Sequence, residues 1–458
     1  MTTLQLARLT RGRAVADGLR TQLWPMPAAA IVLAIALGAV MPVYDNQLLR
    51  LMPAGLGSYL FGGGPEAARS VLQAIAGSLI TVTSLTFSLT IVTLQLASGQ
   101  YSPRLLRTFA RDRVVHATLA VLLATFTYAL TVLRTVRDDR STGAFVPRLS
   151  VTTAYLLALV SVLAVAGFLA HLARKIRVES MLRDVHAEAV ETVRQTVRTR
   201  DGSQRSADPP APPHRGTLIL CAPTSGFVTS VNDRKLLAAA VRTGTVIRVD
   251  RAPGASVVAG TPVATAWRLE SGEDHDDDGL RDVLHGELAE ALGIGFERTS
   301  TQDIAFGLRQ LTDVVAKALS PGINDPTTAV HALGHSSALL CEAARHDLRP
   351  ATRHDDAGRV RVVLARPDLA GLLDLAVSQP RRYGAAHPEV LIRLFDLLRE
   401  LAWVLRDDRA QLAPVAAQLA RLRATVAGQD FDEVERAKLS RRADSVDAAL
   451  EGRWPADD

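Results

Sequence analysis

Four long stretches without Asp, Glu, Lys or Arg dominate the first 175 residues of the chain. Their apolar cores cover about residues 24–44, 71–97, 114–133 and 151–173. A helix needs about 20 mostly apolar residues to cross the hydrocarbon core of a bilayer, and each core reaches that length. The pattern therefore predicts four transmembrane helices in a domain of residues 1–173. Four such stretches so close together disfavour the alternative of buried helices in a soluble protein.

Small polar residues interrupt the second apolar stretch in two rows. With about 100° between successive residues of a helix, one face carries Thr81, Ser84, Ser88 and Gln95, and roughly the opposite face carries Thr83, Thr86, Thr90 and Thr93. One hypothesis is that the first row lines a hydrated path across the membrane. The alternative is that the hydroxyl groups bond carbonyl groups of their own helix and allow close helix packing.

The pattern changes after the fourth stretch. Residues 174–200 repeat apolar positions at helical spacing between charges and predict a helical connector. The sequence then predicts a Pro-rich linker over 201–215, a small β module over 216–268, an acidic linker over 269–282 and a helical domain over 283–458. The predicted fold class is an α-helical integral membrane protein with four transmembrane helices and a cytosolic α+β region. That region combines the small β module with the helical C-terminal domain.

The β module is predicted as four short strands, at Thr217–Cys221, Gly226–Val231, Gly244–Asp250 and Pro262–Trp267. The run from Val249 to Pro262 resembles the turn and strand of a biotinyl/lipoyl-type barrel-sandwich module. A carrier module of that type needs a lysine in its hairpin. The sole lysine within the module, Lys235, lies in a Leu/Ala-rich stretch that predicts a helical insertion. The module is therefore interpreted as structural, and no cofactor is predicted.

The charge distribution indicates how the chain is oriented in the membrane. Residues 1–200 hold 21 Lys or Arg against 10 Asp or Glu, whereas residues 201–458 hold 31 against 37. The basic excess flanks the apolar stretches, which disfavours nucleic acid as a partner. Basic residues favour the cytoplasmic side, so both termini are predicted to be cytoplasmic. Arg104, Arg107 and Arg111, in the second loop, are candidate contacts for anionic lipid headgroups or for the cytosolic region.

The best-defined motif of the second half is the run from Ala318 to Ala329. Gly322 is predicted to end one helix, Asp325 to cap the next, and Pro326 to take its first position. The next helix is expected to run to about Ala344. The residues Asn324, Asp325, Thr327 and Thr328 are candidates for contact with an anionic ligand or a second subunit, because a helix N-terminus presents free amides. The simpler alternative is a structural helix–turn–helix corner.

Motifs of catalysis and metal binding are missing from the sequence. His331 and His335 have the i, i+4 spacing of a zinc helix, but no Glu completes an HExxH motif and no Cys cluster accompanies them. The two cysteines, Cys221 and Cys341, exclude a disulfide scaffold. The sequence therefore predicts neither an enzyme nor a metal site.

Two segments carry a family resemblance. Thr81–Arg104 (TVTSLTFSLTIVTLQLASGQYSPR) and Gly307–Ala329 (GLRQLTDVVAKALSPGINDPTTA) resemble the hallmark segments of the DUF2254 family of bacterial predicted membrane proteins. The resemblance extends from the first apolar stretch to about residue 345. It implies an inner-membrane protein with an N-terminal bundle of spans and a cytosolic C-terminal region. It implies no established activity.

Two functions of different classes remain open from the sequence. The first is a homo-oligomeric channel or transporter-like assembly that its cytosolic domain regulates, which the hydroxyl-rich second helix favours. The alternative is a non-conducting scaffold or signalling protein whose cytosolic domain binds a partner or a small ligand. The expected partners are the lipid bilayer, further copies of the chain and an anionic small ligand.

Overall fold

The structure is a computed structural model of the chain, and it describes residues 24–51, 60–100, 112–137, 145–175, 177–197, 199, 210–213, 216–269 and 277–454. The chain divides into two compact units, Met1–Ser180 and Met181–Asp458. Arg104, Arg107 and Arg111 lie outside the described residues, as do most of the predicted Pro-rich linker and the start of the acidic linker.

The N-terminal unit contains the four predicted apolar helices. They are α1 (Pro25–Leu51), α2 (Pro65–Gln100), α3 (Arg113–Leu133) and α4 (Arg148–Lys175). Each contains a segment long and apolar enough to cross a membrane, at Pro25–Asp45, Pro65–Thr93, Arg113–Leu133 and Arg148–Arg174. The number and order of the apolar helices that the sequence predicts are confirmed.

Helix α3 lies at the centre of this unit and packs against α1, α2 and α4. Half of its apolar segment is buried, against 17–33% in the other three helices. Leu122 and Tyr128 are among the largest fully buried side chains. On α1, Gly38 allows close approach, because a Cβ atom there would lie 2.8 Å from Cβ of Thr131 on α3. The unit is therefore organised around one helix.

Two carboxylates connect helix ends in the N-terminal unit. Asp45, near the end of α1, is buried and accepts hydrogen bonds from the amide and the hydroxyl of Ser150 at 3.1 and 3.2 Å. Asp112 caps α3 by accepting from the Val114 amide at 2.9 Å, and its second oxygen lies 2.6 Å from Nε2 of His171 on α4. Both ends of α4 are therefore held by side chains from other helices.

The C-terminal unit is a mixed α/β structure. Helix α5 (Val178–Thr196) starts three residues after α4 ends, and its apolar side is buried. The strands are β1 (Thr217–Cys221), β2 (Gly226–Val231), β3 (Thr245–Val249), β4 (Ser256–Val257), β5 (Pro262–Arg268), β6 (Leu292–Gly295), β7 (Ala351–His354) and β8 (Val360–Leu364). Helix α6 (Asp233–Thr243) follows β2 and carries Lys235, and α7 (Asp277–Ala291) precedes β6.

The strands form two sheets. The larger has the order β1-β5-β3-β8-β7, and its neighbours are antiparallel except for the parallel pair β3 and β8. The smaller sheet has the order β4-β2-β6. The four strands predicted between residues 217 and 267 are present, but three strands from later in the chain complete the two sheets. Neither sheet is therefore confined to the predicted module of residues 216–268.

Helices fill most of the remaining C-terminal unit. They are α8 (Phe306–Ala318), α9 (Pro326–Ala344), α10 (Leu369–Tyr383), α11 (Pro388–Val404), α12 (Ala413–Ala427) and α13 (Glu433–Leu450), with a short 3-10 helix at Arg409–Gln411. Helix α11 is buried along most of its length, including Leu394, Leu398 and Leu401, and packs against α9 and α13. The helical C-terminal region that the sequence predicts is confirmed.

Candidate functional site

The corner between α8 and α9 has the local structure that its sequence predicts at the start of α9. Asp325 caps the helix, and Pro326 occupies its first turn. Helix α8 ends earlier than predicted, at Ala318 rather than near Gly322. Asn324 adopts a left-handed backbone conformation with φ of 49°, which Asn tolerates better than most residues. The corner is thus a tight turn whose tip is exposed.

The anion position at the start of α9 is occupied by the chain itself. The Asp325 carboxylate accepts from the Thr328 amide at 3.0 Å and from the Thr328 hydroxyl at 2.6 Å. These hydrogen bonds lower the pKa of Asp325. Because the carboxylate already occupies this position, the geometry favours a contact through the exposed Asn324 and Thr327 over the capture of a free anion.

The two polar rows of α2 have different surroundings. Thr83, Thr86 and Thr93 are buried, and the hydroxyl groups of Thr83, Thr86, Thr90 and Thr93 donate to carbonyl oxygens four residues earlier at 2.7–2.8 Å. Thr81, Ser84, Ser88 and Gln95 are exposed on the outside of the unit. Of these four residues, Thr81 donates a hydrogen bond to its own helix, to the carbonyl oxygen of Gly77 at 3.2 Å. Within one copy of the unit, the predicted path row therefore lies on the outer surface.

A cavity of about 310 Å³ lies in the C-terminal unit at the carboxyl ends of the parallel strands β3 and β8. Val249 ends β3, Leu364 ends β8, and both residues line the cavity. The amide of Ala365 donates to the carbonyl oxygen of Val249 at 2.9 Å and holds the two strand ends together. Proteins with parallel strands commonly bind small ligands at this edge of a sheet, so the position is typical of a ligand site.

The charged residues that line the cavity are three arginines and one aspartate: Arg251, Arg353, Arg366 and Asp233. Nε of Arg353 donates to the Asp233 carboxylate at 2.7 Å. The terminal nitrogens of Arg366 donate to the carbonyl oxygens of Thr196 and Asp347 at 2.9 and 3.2 Å. Arg251 is exposed and has no hydrogen bond or ion pair with the residues that the structure describes. The lining is therefore predominantly basic.

The loop that carries Arg251 is held in place by contacts of Gly254 with Val228 and with the buried Asp303. Gly254 has φ of 89° and donates to the carbonyl oxygen of Val228 at 2.7 Å. A Cβ atom at Gly254 would lie 2.1 Å from Oδ2 of Asp303, which is buried and bonded to Arg298 at 2.5 and 2.8 Å. Burial raises the pKa of Asp303 despite that arginine. The loop therefore has little freedom to move toward the interior.

The remaining wall of the cavity is largely apolar. Val231, Ile304 and Ala351 line it beside the two strand ends, and all three are buried. Gln302 also lines it, but its side-chain oxygen accepts from the Val231 amide at 2.8 Å and is thus used in the fold. The cavity combines basic groups with an apolar surface.

Sequence reasoning did not identify this cavity. Arg251 lies within the Val249–Pro262 run that the sequence pattern assigns to a structural module, and Arg366 lies two residues after the end of β8. A charged residue just beyond the carboxyl end of a strand is the signal that could have indicated a ligand site. Only the parallel pairing of two strands more than 100 residues apart brings these signals together.

The other candidate groups have structural surroundings. The rings of His186 and His335 lie 5.3 Å apart, and burial, followed by His186 and His331, lowers the pKa of His335. Across the described residues, no group of three or more His, Cys, Asp or Glu is placed to hold a metal ion. Burial raises the pKa of the Cys341 thiol to about 11, so this thiol remains protonated and unreactive near neutral pH.

Comparison with known proteins places the chain in a family of predicted membrane proteins. The model of a family described as "Predicted membrane protein (DUF2254)" matches residues 20–400. The chain is 35% identical over 438 residues to "Uncharacterized protein Rv1290c" of Mycobacterium tuberculosis H37Rv and to "Uncharacterized protein Mb1321c" of Mycobacterium bovis. Each alignment covers 94% of this chain and 81% of the relative. No solved structure matches it.

Proposed function

Because this chain belongs to the DUF2254 family of predicted membrane proteins, we propose that it is a membrane-anchored receptor whose C-terminal unit binds a small anionic ligand. The cavity at the ends of β3 and β8 carries this proposal. It has the position, size and basic lining of an anion site, and its lining contains three arginines against one aspartate. Arginine is well suited to this task because its planar guanidinium presents several fixed donors to an anion.

The cavity also contacts the helix that follows the last apolar helix in the chain. Arg366 donates to the carbonyl oxygen of Thr196, the last residue of α5. A ligand that engages Arg366 therefore acts on the C-terminal end of a helix that begins three residues after α4. This arrangement supports a signalling role, in which ligand binding alters the segment that joins the two units along the chain.

Ligand binding is tested on the detergent-solubilised full chain by its thermal unfolding with a panel of small anions. A ligand that binds only the folded state raises the unfolding temperature. Arg251→Gln should reduce that increase, because it removes a guanidinium at the cavity and weakens binding. Arg281→Gln is the matched control, since Arg281 pairs with Asp278 on the exposed side of α7. Equal responses of both variants would contradict the proposal.

We also propose that the chain is a multi-pass protein of the bacterial inner membrane with both termini in the cytoplasm. The excess of basic residues in the N-terminal tail, in the second loop and after the fourth apolar helix supports this orientation. Reporter fusions after residue 60 and after residue 200 should lie on opposite sides of the membrane. Both reporters on one side would contradict the orientation.

A second proposed function is a homo-oligomeric channel or transporter-like assembly. The observation that favours it is the exposed row of Thr81, Ser84, Ser88 and Gln95 on α2. Polar side chains that face lipid are unfavourable, so a second copy of the chain is a better neighbour for this row than acyl chains. A path along the row would then lie between copies rather than inside one.

The assembly is tested by cysteine cross-linking and ion flux. In a Cys221→Ala background, Ser88→Cys should form a disulfide-linked dimer in membranes. Leu163→Cys, on the exposed face of α4, is the matched control and should not. Reconstituted protein should conduct ions, and Ser88→Leu should reduce the flux. If neither cross-link nor flux appears, the membrane helices serve as an anchor and the receptor function stands alone.

A further inference from the structure

We infer that the ligand of the cavity is a compact organic phosphate monoester rather than a carboxylate or free inorganic phosphate. This inference rests on the proposed ligand-binding function and names the chemical class of its ligand. It depends on three properties of the cavity: the balance of charge on its lining, the donors of its arginines, and the apolar residues that line the same cavity.

The charge balance matches a dianion. The lining carries three positive charges, on Arg251, Arg353 and Arg366, and one negative charge on Asp233, which leaves an excess of two. A phosphate monoester carries about −1.5 to −2 near neutral pH, because its second pKa is about 6. A carboxylate carries a single negative charge and would leave the lining positive. The excess charge therefore selects a doubly charged group.

The donors also match a phosphate. Arg251 has no partner among the residues described, so its donors are available to a ligand. Arg353 is half-buried and is held by Asp233, which aligns its guanidinium at the cavity wall. A phosphate offers three acceptor oxygens, which suits several guanidinium groups at once. A planar carboxylate has two oxygens and satisfies fewer of these donors.

The apolar wall indicates that the phosphate is attached to an organic group. Val249, Ile304 and Leu364 face the same cavity as the arginines. Inorganic phosphate would leave this surface in contact with water, whereas an ester group would cover it and add hydrophobic stabilisation. The cavity volume of about 310 Å³ lies at the lower end of the usual range for small-ligand sites. The ligand is therefore compact.

Titration calorimetry on the detergent-solubilised full chain tests the chemical class of the ligand with three probes: phenyl phosphate, inorganic phosphate and benzoate. Phenyl phosphate should bind about tenfold or more tightly than the other two. Lowering the pH from about 7.5 to about 5 should weaken phenyl phosphate about tenfold, because its dianion becomes the minor form. The arginines keep their charge over this range, and benzoate, with its lower pKa, should show no comparable change.

Two substitutions at the cavity should act in opposite directions. Arg251→Gln removes a donor and should weaken phenyl phosphate about tenfold, the usual effect of losing one charged hydrogen bond. Asp233→Asn removes the negative charge of the lining but keeps a side-chain oxygen that accepts from Arg353, so it should strengthen binding severalfold. The exposed pair of α7 supplies matched controls, and Arg281→Gln and Asp278→Asn should leave the affinity unchanged.

The outcomes separate the ligand class from the proposed function. If no probe binds, or if binding ignores Arg251→Gln, the ligand-binding function itself is wrong. If benzoate binds as tightly as phenyl phosphate without dependence on pH, the cavity is an anion site but the phosphate class is wrong. If inorganic phosphate equals phenyl phosphate, the organic group is wrong.

Discussion

The two units differ in whether the polar groups compared here have hydrogen-bond partners within the chain. In the N-terminal unit, buried hydroxyl groups such as those of Thr83 and Thr86 donate to carbonyl oxygens of their own helix, and the buried Asp45 caps α4. In the C-terminal unit, Arg251 lies at a cavity with donors that no described residue uses. Where polar groups are satisfied locally, the chain builds a scaffold. Where charged groups are left in a cavity, it has the means to bind a ligand.

The largest expected effect is a loss of stability in the N-terminal unit. Asp45→Ala removes the acceptor for the amide and the hydroxyl of Ser150, so these donors are left unpaired in a buried site. The free energy of unfolding should fall by about 3 kcal/mol. Thermal unfolding in detergent measures this loss. Glu66→Ala, at an exposed position in the first turn of α2, is the control and should change little. Equal effects would show that Asp45 does not hold α4.

The next largest effect concerns the stability of the loop that carries Arg251. Gly254→Ala should destabilise the C-terminal unit by about 2 kcal/mol or more, because its methyl group would contact Asp303. Gly260 has a similar φ of 77°, but no atom lies within 4 Å of the position that a methyl group would take there. Gly260→Ala therefore reports backbone strain alone, of roughly 1–2 kcal/mol. If Gly254→Ala is as stable as Gly260→Ala, the contact with Asp303 does not hold the loop in place.

A smaller effect concerns the corner before α9. Asp325→Ala should cost about 1 kcal/mol through the loss of the helix cap, whereas Asp325→Asn should keep most of the stability. Thermal unfolding of both variants measures the difference. If Asp325→Ala abolishes assembly or ligand binding while its unfolding temperature hardly changes, the corner has a role beyond capping. If function falls only in step with stability, the corner is structural.

The smallest expected effect lies inside the N-terminal unit. Thr86→Val removes a hydroxyl that bonds only within α2, and the change in stability should stay below about 0.6 kcal/mol. Ser161→Ala breaks a bond between helices, to Thr125 at 3.0 Å, and should cost more. Unfolding in detergent under identical conditions compares the two. A larger loss for Thr86→Val would mean that this hydroxyl has a partner or role outside its own helix.

Local features of the fold were predictable from the sequence, and distant pairings were not. The four apolar helices, the cap at Asp325 and the helical segment around Lys235 each follow from residues within one or two turns of one another. Asp45 and Ser150 are 105 residues apart, and their hydrogen bond has no local signature. The cavity depends in the same way on the pairing of β3 with β8. Its arginines were therefore visible as residues but not as a site.

Hydrogen exchange of the full chain in detergent, with and without phenyl phosphate, shows in one experiment whether the C-terminal unit binds the ligand while the N-terminal unit does not. The ligand should slow exchange in peptides that cover residues 245–255 and 360–367, around the cavity. Peptides from α2 should show no direct protection. Protection in both cavity segments, which is weaker in Arg251→Gln at the same subsaturating ligand concentration, is the predicted result. Unchanged exchange around the cavity at a saturating ligand concentration would contradict it.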